Sequence, residues 1–173
     1  MHSRLINFFI RSAACAFATF CADSTLATEE KICGDQRPLF QCQVQGGKNL
    51  ALCSSYIDGE LNGIQYRFGR ETKKELIFPA SGFDLISFTS NHFTRFRTDY
   101  RRIKFSIDNY TYSIYSDYDG ENLEDPVSAG GVVIFSSAEA SPIQLPCTHI
   151  YIDKLNEILP HLKCDTSDAL GCQ

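Results

Sequence analysis

Arg101-Arg102-Ile103-Lys104-Phe105-Ser106-Ile107-Asp108-Asn109-Tyr110-Thr111-Tyr112-Ser113-Ile114-Tyr115-Ser116 reads as a β-hairpin, and the rest of the architecture is built out from it. Asp108-Asn109 is a two-residue turn, since both side chains tolerate positive φ. Pairing outward sets Ile107 opposite Tyr110, Phe105 opposite Tyr112 and Ile103 opposite Ile114. All six fall on one face, while Lys104, Ser106, Thr111 and Ser113 fall on the other. A single register therefore sorts the run into a dry side and a wet side.

Period two recurs on both flanks, which is the strand signature. Residues 39–44 place Phe40, Cys42 and Val44 on one face, Gly46-Gly47 supplies a turn, and residues 49–54 return. Two registers are open there. With Gly47-Lys48 at the centre, Cys42 faces Cys53 and the two could bond. With Gly46-Gly47 at the centre they sit diagonally and each bonds elsewhere. Residues 64–68 alternate with Ile64, Tyr66 and Phe68 inward. Residues 75–78 form a strand stopped by Pro79, residues 83–88 follow a Ser81-Gly82 turn, and residues 131–136 and 143–147 are further strands. Beyond Cys147, Ile152, Leu155, Ile158, Leu159 and Leu162 recur at helical spacing, with Pro160 limiting the helix.

These elements predict a mainly β, antiparallel domain of about seven to nine strands, a sandwich or small closed barrel. A short amphipathic C-terminal helix packs on it. The β-body covers residues 33–147 and a helical, cysteine-containing tail residues 148–173. Thirteen Phe and eight Tyr supply the large side chains a sheet interface needs.

Residues 1–27 have the three parts of a signal peptide: a start with Arg4, an apolar stretch interrupted by Arg11, and small residues ending at Thr25-Leu26-Ala27. Cleavage is expected after Ala27. An uninterrupted span needs about 20 apolar residues, so the leader does not read as an anchor and no stable membrane span is expected after cleavage. Removing Arg4, Arg11 and Asp23 leaves 14 basic against 20 acidic residues, a net charge of −6. That balance argues against nucleic acid as a partner. Cys33, Cys42, Cys53, Cys147, Cys164 and Cys172 remain, an even number in a chain read as secreted or periplasmic. They are expected to form disulfides, Cys164–Cys172 among the options, with connectivity open among 15 pairings.

No catalytic constellation stands out. His92, His149 and His161 are not at ligand spacing, so neither a metal site nor a cofactor is expected. The acidic run 117–125 has oxygen ligands for calcium but lacks the EF-hand glycine position, and a solvated loop is the simpler reading. Cations and aromatics mix over residues 93–102. Arg95, Arg97, Arg101 and Arg102 could grip an anionic partner, or the segment is a solvated loop leading into a strand.

Leu39-Phe40-Gln41-Cys42, Gly47-Lys48-Asn49-Leu50-Ala51-Leu52-Cys53, Gln65-Tyr66-Arg67-Phe68-Gly69 with Glu75-Leu76-Ile77-Phe78-Pro79, and Tyr112-Ser113-Ile114-Tyr115-Ser116 followed by Gly130-Gly131-Val132-Val133 and Leu145-Pro146-Cys147 occur in that order. In this they resemble a family of small secreted bacterial β-proteins with no assigned activity. The resemblance covers residues 33–147 and implies an exported β-domain; the tail with Cys164 and Cys172 departs from it. The expected function is non-catalytic: an exported binding protein, in its sharper form an inhibitor- or immunity-like protein acting on an envelope enzyme, with a protein or glycan of the cell envelope as partner. Ser81-Gly82-Phe83 resembles the Ser-Gly loop of envelope lysozyme inhibitors, without a Tyr close behind, and puts Ser81 and Gly82 among the candidate binding residues. The rival reading is a carrier of small hydrophobic ligands, with a barrel interior lined by Tyr66, Phe105 and Tyr112. An enzyme of unknown class is a third.

Overall fold

The computed structural model describes residues 32–172. The proposed leader and its cleavage point lie outside those residues. The described chain forms one curled, half-barrel sheet of ten strands rather than a sandwich or a closed barrel. The strands are β1 (Arg37–Val44), β2 (Lys48–Ile57), β3 (Glu60–Arg70), β4 (Lys73–Phe78), β5 (Thr89–Arg95), β6 (Thr98–Ile107), β7 (Tyr110–Asp119), β8 (Val127–Ser136), β9 (Ile143–Asp153) and β10 (Lys163–Cys164). Their spatial order is β10-β5-β6-β7-β8-β9-β1-β2-β3-β4. All neighbours are antiparallel except β10, which runs parallel to β5.

The β6–β7 hairpin has the register expected from its sequence, Ile103↔Ile114, Phe105↔Tyr112 and Ile107↔Tyr110. Asp108 takes the positive φ, 52°. Between β1 and β2 neither expected register occurs. Val44 pairs with Lys48 and Cys42 with Leu50, around a three-residue loop at 45–47. Cys42 therefore points to the concave face and bonds Cys147 of β9, while Cys53 points outward and bonds Cys33. Cys164 bonds Cys172. Three disulfides point to an oxidising, extracytoplasmic environment. Among the described residues no helix is long and apolar enough to cross a membrane.

Three expected elements are corrected. Residues 83–88 are a loop, joined to the sheet by one bridge, Ile64↔Asp84. The Asp84 carboxylate accepts hydrogen bonds from the Ser87 amide and hydroxyl, a local turn that competes with strand pairing. Residues 93–102 are no loop: they belong to the β5–β6 hairpin, which turns at Phe96-Arg97. Residues 148–153 continue β9 alongside β1, so the helix shrinks to α1 (Leu155–Ile158) followed by a 3-10 turn, Leu159–His161.

A four-residue helix has no stability of its own, since isolated helices shorter than about 12–15 residues are marginal in water. Burial holds it. Leu155, Ile158 and Leu162 enter the core with Leu39, Phe40, Leu50, Leu52, Ile64, Ile103 and Ile114. Each such side chain contributes about 1.5–3 kcal/mol. Phe105 is the centre of an aromatic group, with Tyr66, Phe78, Phe88 and Tyr112 at centroid distances of 5.0, 4.6, 5.5 and 4.9 Å. These rings occupy the interior in which a carrier would hold its guest. Burial pushes the Tyr66 phenol well above its ordinary range.

Candidate functional site

Loop 79–88 runs from the end of β4 to the start of β5 along the free part of β3. Four sets of contacts pin it. Gln65 donates through Nε2 to the carbonyls of Pro79 at 3.0 Å and Gly82 at 2.9 Å. Ile64 and Asp84 exchange backbone hydrogen bonds at 2.9 and 3.3 Å. Phe83 packs on the outer cluster of Ile32, Cys33, Ala51 and Cys53, under the Arg67 guanidinium. Phe88 is fully buried against Phe78 and Phe105. Between these anchors Ile86 is 97 % exposed, the most exposed of the large apolar side chains among the described residues.

The alternation of β3 explains the loop's support. Ile64 and Tyr66 are inner residues of the core, so Gln65 and Arg67 face outward beneath the loop. Arg67 Nε donates to Gln65 Oε1 at 2.8 Å, and Arg67 Nη1 donates to the carbonyls of Ile32 and Cys33 at 3.2 and 2.7 Å. The guanidinium fixes the glutamine amide, and that amide fixes the loop. Ser81 and Gly82 sit exposed on the loop, Gly82 with φ 73°.

The four candidate arginines do not converge. Arg95 pairs with Glu121 and lies 5.9 Å above the Phe93 ring. Arg97 occupies the β5–β6 turn at φ 62°, its Nε donating to the Gly120 carbonyl at 2.6 Å. Arg101 and Arg102 are neighbours on β6 and point to opposite faces. Arg102 makes a two-pronged contact with Asp117 on the outer face and stacks on Tyr115.

Arg101 joins a polar network on the concave face that draws on four strands. His92 Nε2 is 2.9 Å from Asp99 Oδ1, and Arg101 Nη1 donates to Asp153 Oδ1 at 3.1 Å. Ser116 Oγ donates to Asp153 Oδ2 at 2.5 Å. Arg101 Nε is buried without a hydrogen bond among the described residues, 3.4 Å from Asp99 Oδ1. Ser116 gives its proton to a carboxylate already paired with Arg101, and makes no hydrogen bond to His92. The network pairs the nearly buried Arg101 guanidinium with two carboxylates. Sequence could not assemble it, because Asp153 lies 52 residues beyond Arg101 and reaches it only through the pairing of the strands.

The acidic run is split. Asp117 and Asp119 lie in β7, and the loop proper starts at Gly120. The Glu121 amide and the Tyr100 hydroxyl donate to Asp119 and hold its carboxyl below the usual range. Among the described residues no group of three or more His, Cys, Asp or Glu is placed to hold a metal ion. No protein-family model matches the chain, and no curated protein and no solved structure matches it.

Proposed function

We propose that this is an exported, non-catalytic interaction protein of the inhibitor- or immunity-like kind, which seats loop 79–88 in the cleft of an envelope enzyme. The observation that carries the reading is the pairing of a near-fully exposed Ile86 with a loop anchored on both sides of it. An apolar tip held in one conformation loses little entropy on binding, which is how a short loop achieves affinity. Anchors of this kind, filling a pocket and excluding water, dominate interface energetics. The packed ring cluster behind the loop gives it a rigid base. Export is supported by the leader-like first 27 residues and by the three disulfides.

The test is capture from periplasmic extract by the tagged, disulfide-intact chain, compared with Ile86→Glu and with Arg95→Ala/Arg97→Ala. A partner captured by the wild type and by the arginine variant, but lost with Ile86→Glu, supports the loop. Equal capture by all three forms overturns it.

A further inference from the structure

A groove of about 610 Å³ crosses the outer face of β6–β9, and none of its lining residues belongs to loop 79–88. Its floor is two cross-strand rows. One is Lys104–Ser113–Val133–Gln144 and the other contains Thr111 and Phe135. Asp165 and Asp168, from the loop closed by Cys164–Cys172, form one wall, and Pro142 stands in the other. The size is that of an ordinary small-molecule cleft.

Every cation in this groove is engaged by a carboxylate, and one negative charge is left in excess, since Lys104 faces two carboxylates. Lys104 Nζ is held by Asp165 Oδ2 at 2.9 Å and by Asp168, and Arg102 is held by Asp117. An anion would meet that excess negative charge and no uncommitted cation. What remains uncommitted is neutral. Ser113 is only 4 % exposed, lines the groove, and its hydroxyl makes no hydrogen bond among the described residues. The Gln144 amide, in the same row, makes none either. The Ser113 hydroxyl is not enclosed by protein but opens into the groove, where an outside hydroxyl can meet it. Beside these groups the Phe135 ring is 47 % exposed. A pyranose ring has that combination of needs: a C–H face for an aromatic surface, and hydroxyl edges for alcohol and amide groups.

We propose that this groove binds a neutral oligosaccharide, one ring lying on Phe135 and its hydroxyls meeting Ser113 and Gln144. This site is independent of the loop that presents Ile86, so each reading survives the failure of the other.

The experiment is an amide NMR titration of the disulfide-intact chain with three probes: a glucose hexamer, an N-acetylglucosamine hexamer and a galacturonate hexamer. The expected result is that a neutral hexamer moves the amides of Ser113, Val133 and Gln144. Phe135→Ala and Gln144→Ala should each weaken that binding about tenfold at an unchanged melting temperature, and Ile86→Glu should leave it intact. The proposal is overturned if neither neutral hexamer moves those amides, if galacturonate binds more tightly than both, or if Phe135→Ala and Gln144→Ala bind as the wild type does.

Discussion

Gly63 lies directly beneath the backbone of Asp84: a Cβ on Gly63 would stand 2.6 Å from the Asp84 amide nitrogen and 2.7 Å from the Phe83 carbonyl carbon. The glycine is required by the closeness of the loop. Gly63→Ala should push loop 79–88 off β3 and break the Ile64–Asp84 bridge, costing about 1–3 kcal/mol. Urea unfolding reads the cost, and faster proteolysis within the loop reads the displacement. An alanine variant with wild-type stability and protease resistance would refute the close docking.

Asp153 is the centre of the concave network, bonded to both Arg101 and Ser116. Removing it leaves a cation that is only 13 % exposed with Asp99 as its remaining charge partner. Asp153→Ala should cost about 2–4 kcal/mol, and Arg101→Met in the same chain should recover part of the loss. Glu121→Ala removes the partner of Arg95 where both side chains are more than half exposed, and should change stability by less than about 0.5 kcal/mol. Equal losses for Asp153→Ala and Glu121→Ala would contradict this account.

Acid should loosen the C-terminal loop first. The Ser167 hydroxyl, then the Lys104 ammonium, hold the Asp165 carboxyl down to about 2 from an ordinary 3.8. Lys104 is also the main cause of the lowered value at Asp168. Both folded values lie below the unfolded one. Their stabilisation is therefore complete above about pH 4 and drains away as pH falls toward about 2. Lys104→Met should raise both carboxyl titrations, followed by NMR, and flatten the fall in stability across that window. A variant with the wild-type acid profile would show that Lys104 is not the cause.

The three disulfides should differ in worth according to the chain they close. Cys42–Cys147 spans 105 residues, Cys33–Cys53 spans 20 and Cys164–Cys172 spans 8. Loop-closure entropy puts them at about 5, 3 and 2.5 kcal/mol respectively. Double alanine variants, unfolded in urea, should follow that order. Losing Cys164–Cys172 should leave the aromatic core intact by near-UV circular dichroism while exposing to exchange the His92 amide, which donates to the Gly171 carbonyl, and the Asp165 amide, which donates to the Ser90 carbonyl.

Local chemistry explains which elements could be read in advance. The β6–β7 hairpin was legible because apolar residues alternate on both arms around Asp108-Asn109, so one register satisfies every position. The β1–β2 register was not, because adjacent glycines allow several turns, and the choice fell to packing: only with Cys42 opposite Leu50 does its side chain reach Cys147 of β9. Residues 93–102 hid a hairpin because its apolar positions are few and its turn at Arg97 has no glycine to announce it. Loop 79–88 was visible as a Ser81-Gly82 turn, but nothing in its residues said that Ile86 would face water and Phe88 the core.

Taken alone, the sequence determined the β class, the hairpin register, the apolar positions of the C-terminal turn and the set of cysteines, since all of these follow from periodicity and residue type within a short window. Tertiary structure decided the cysteine partners, the half-barrel curl, the opposite faces taken by Arg101 and Arg102, and the meeting of His92, Asp99, Arg101, Ser116 and Asp153. Each of those depends on which strands become neighbours. That is settled by burying one shared face, so it is a property of the whole sheet and of no single segment.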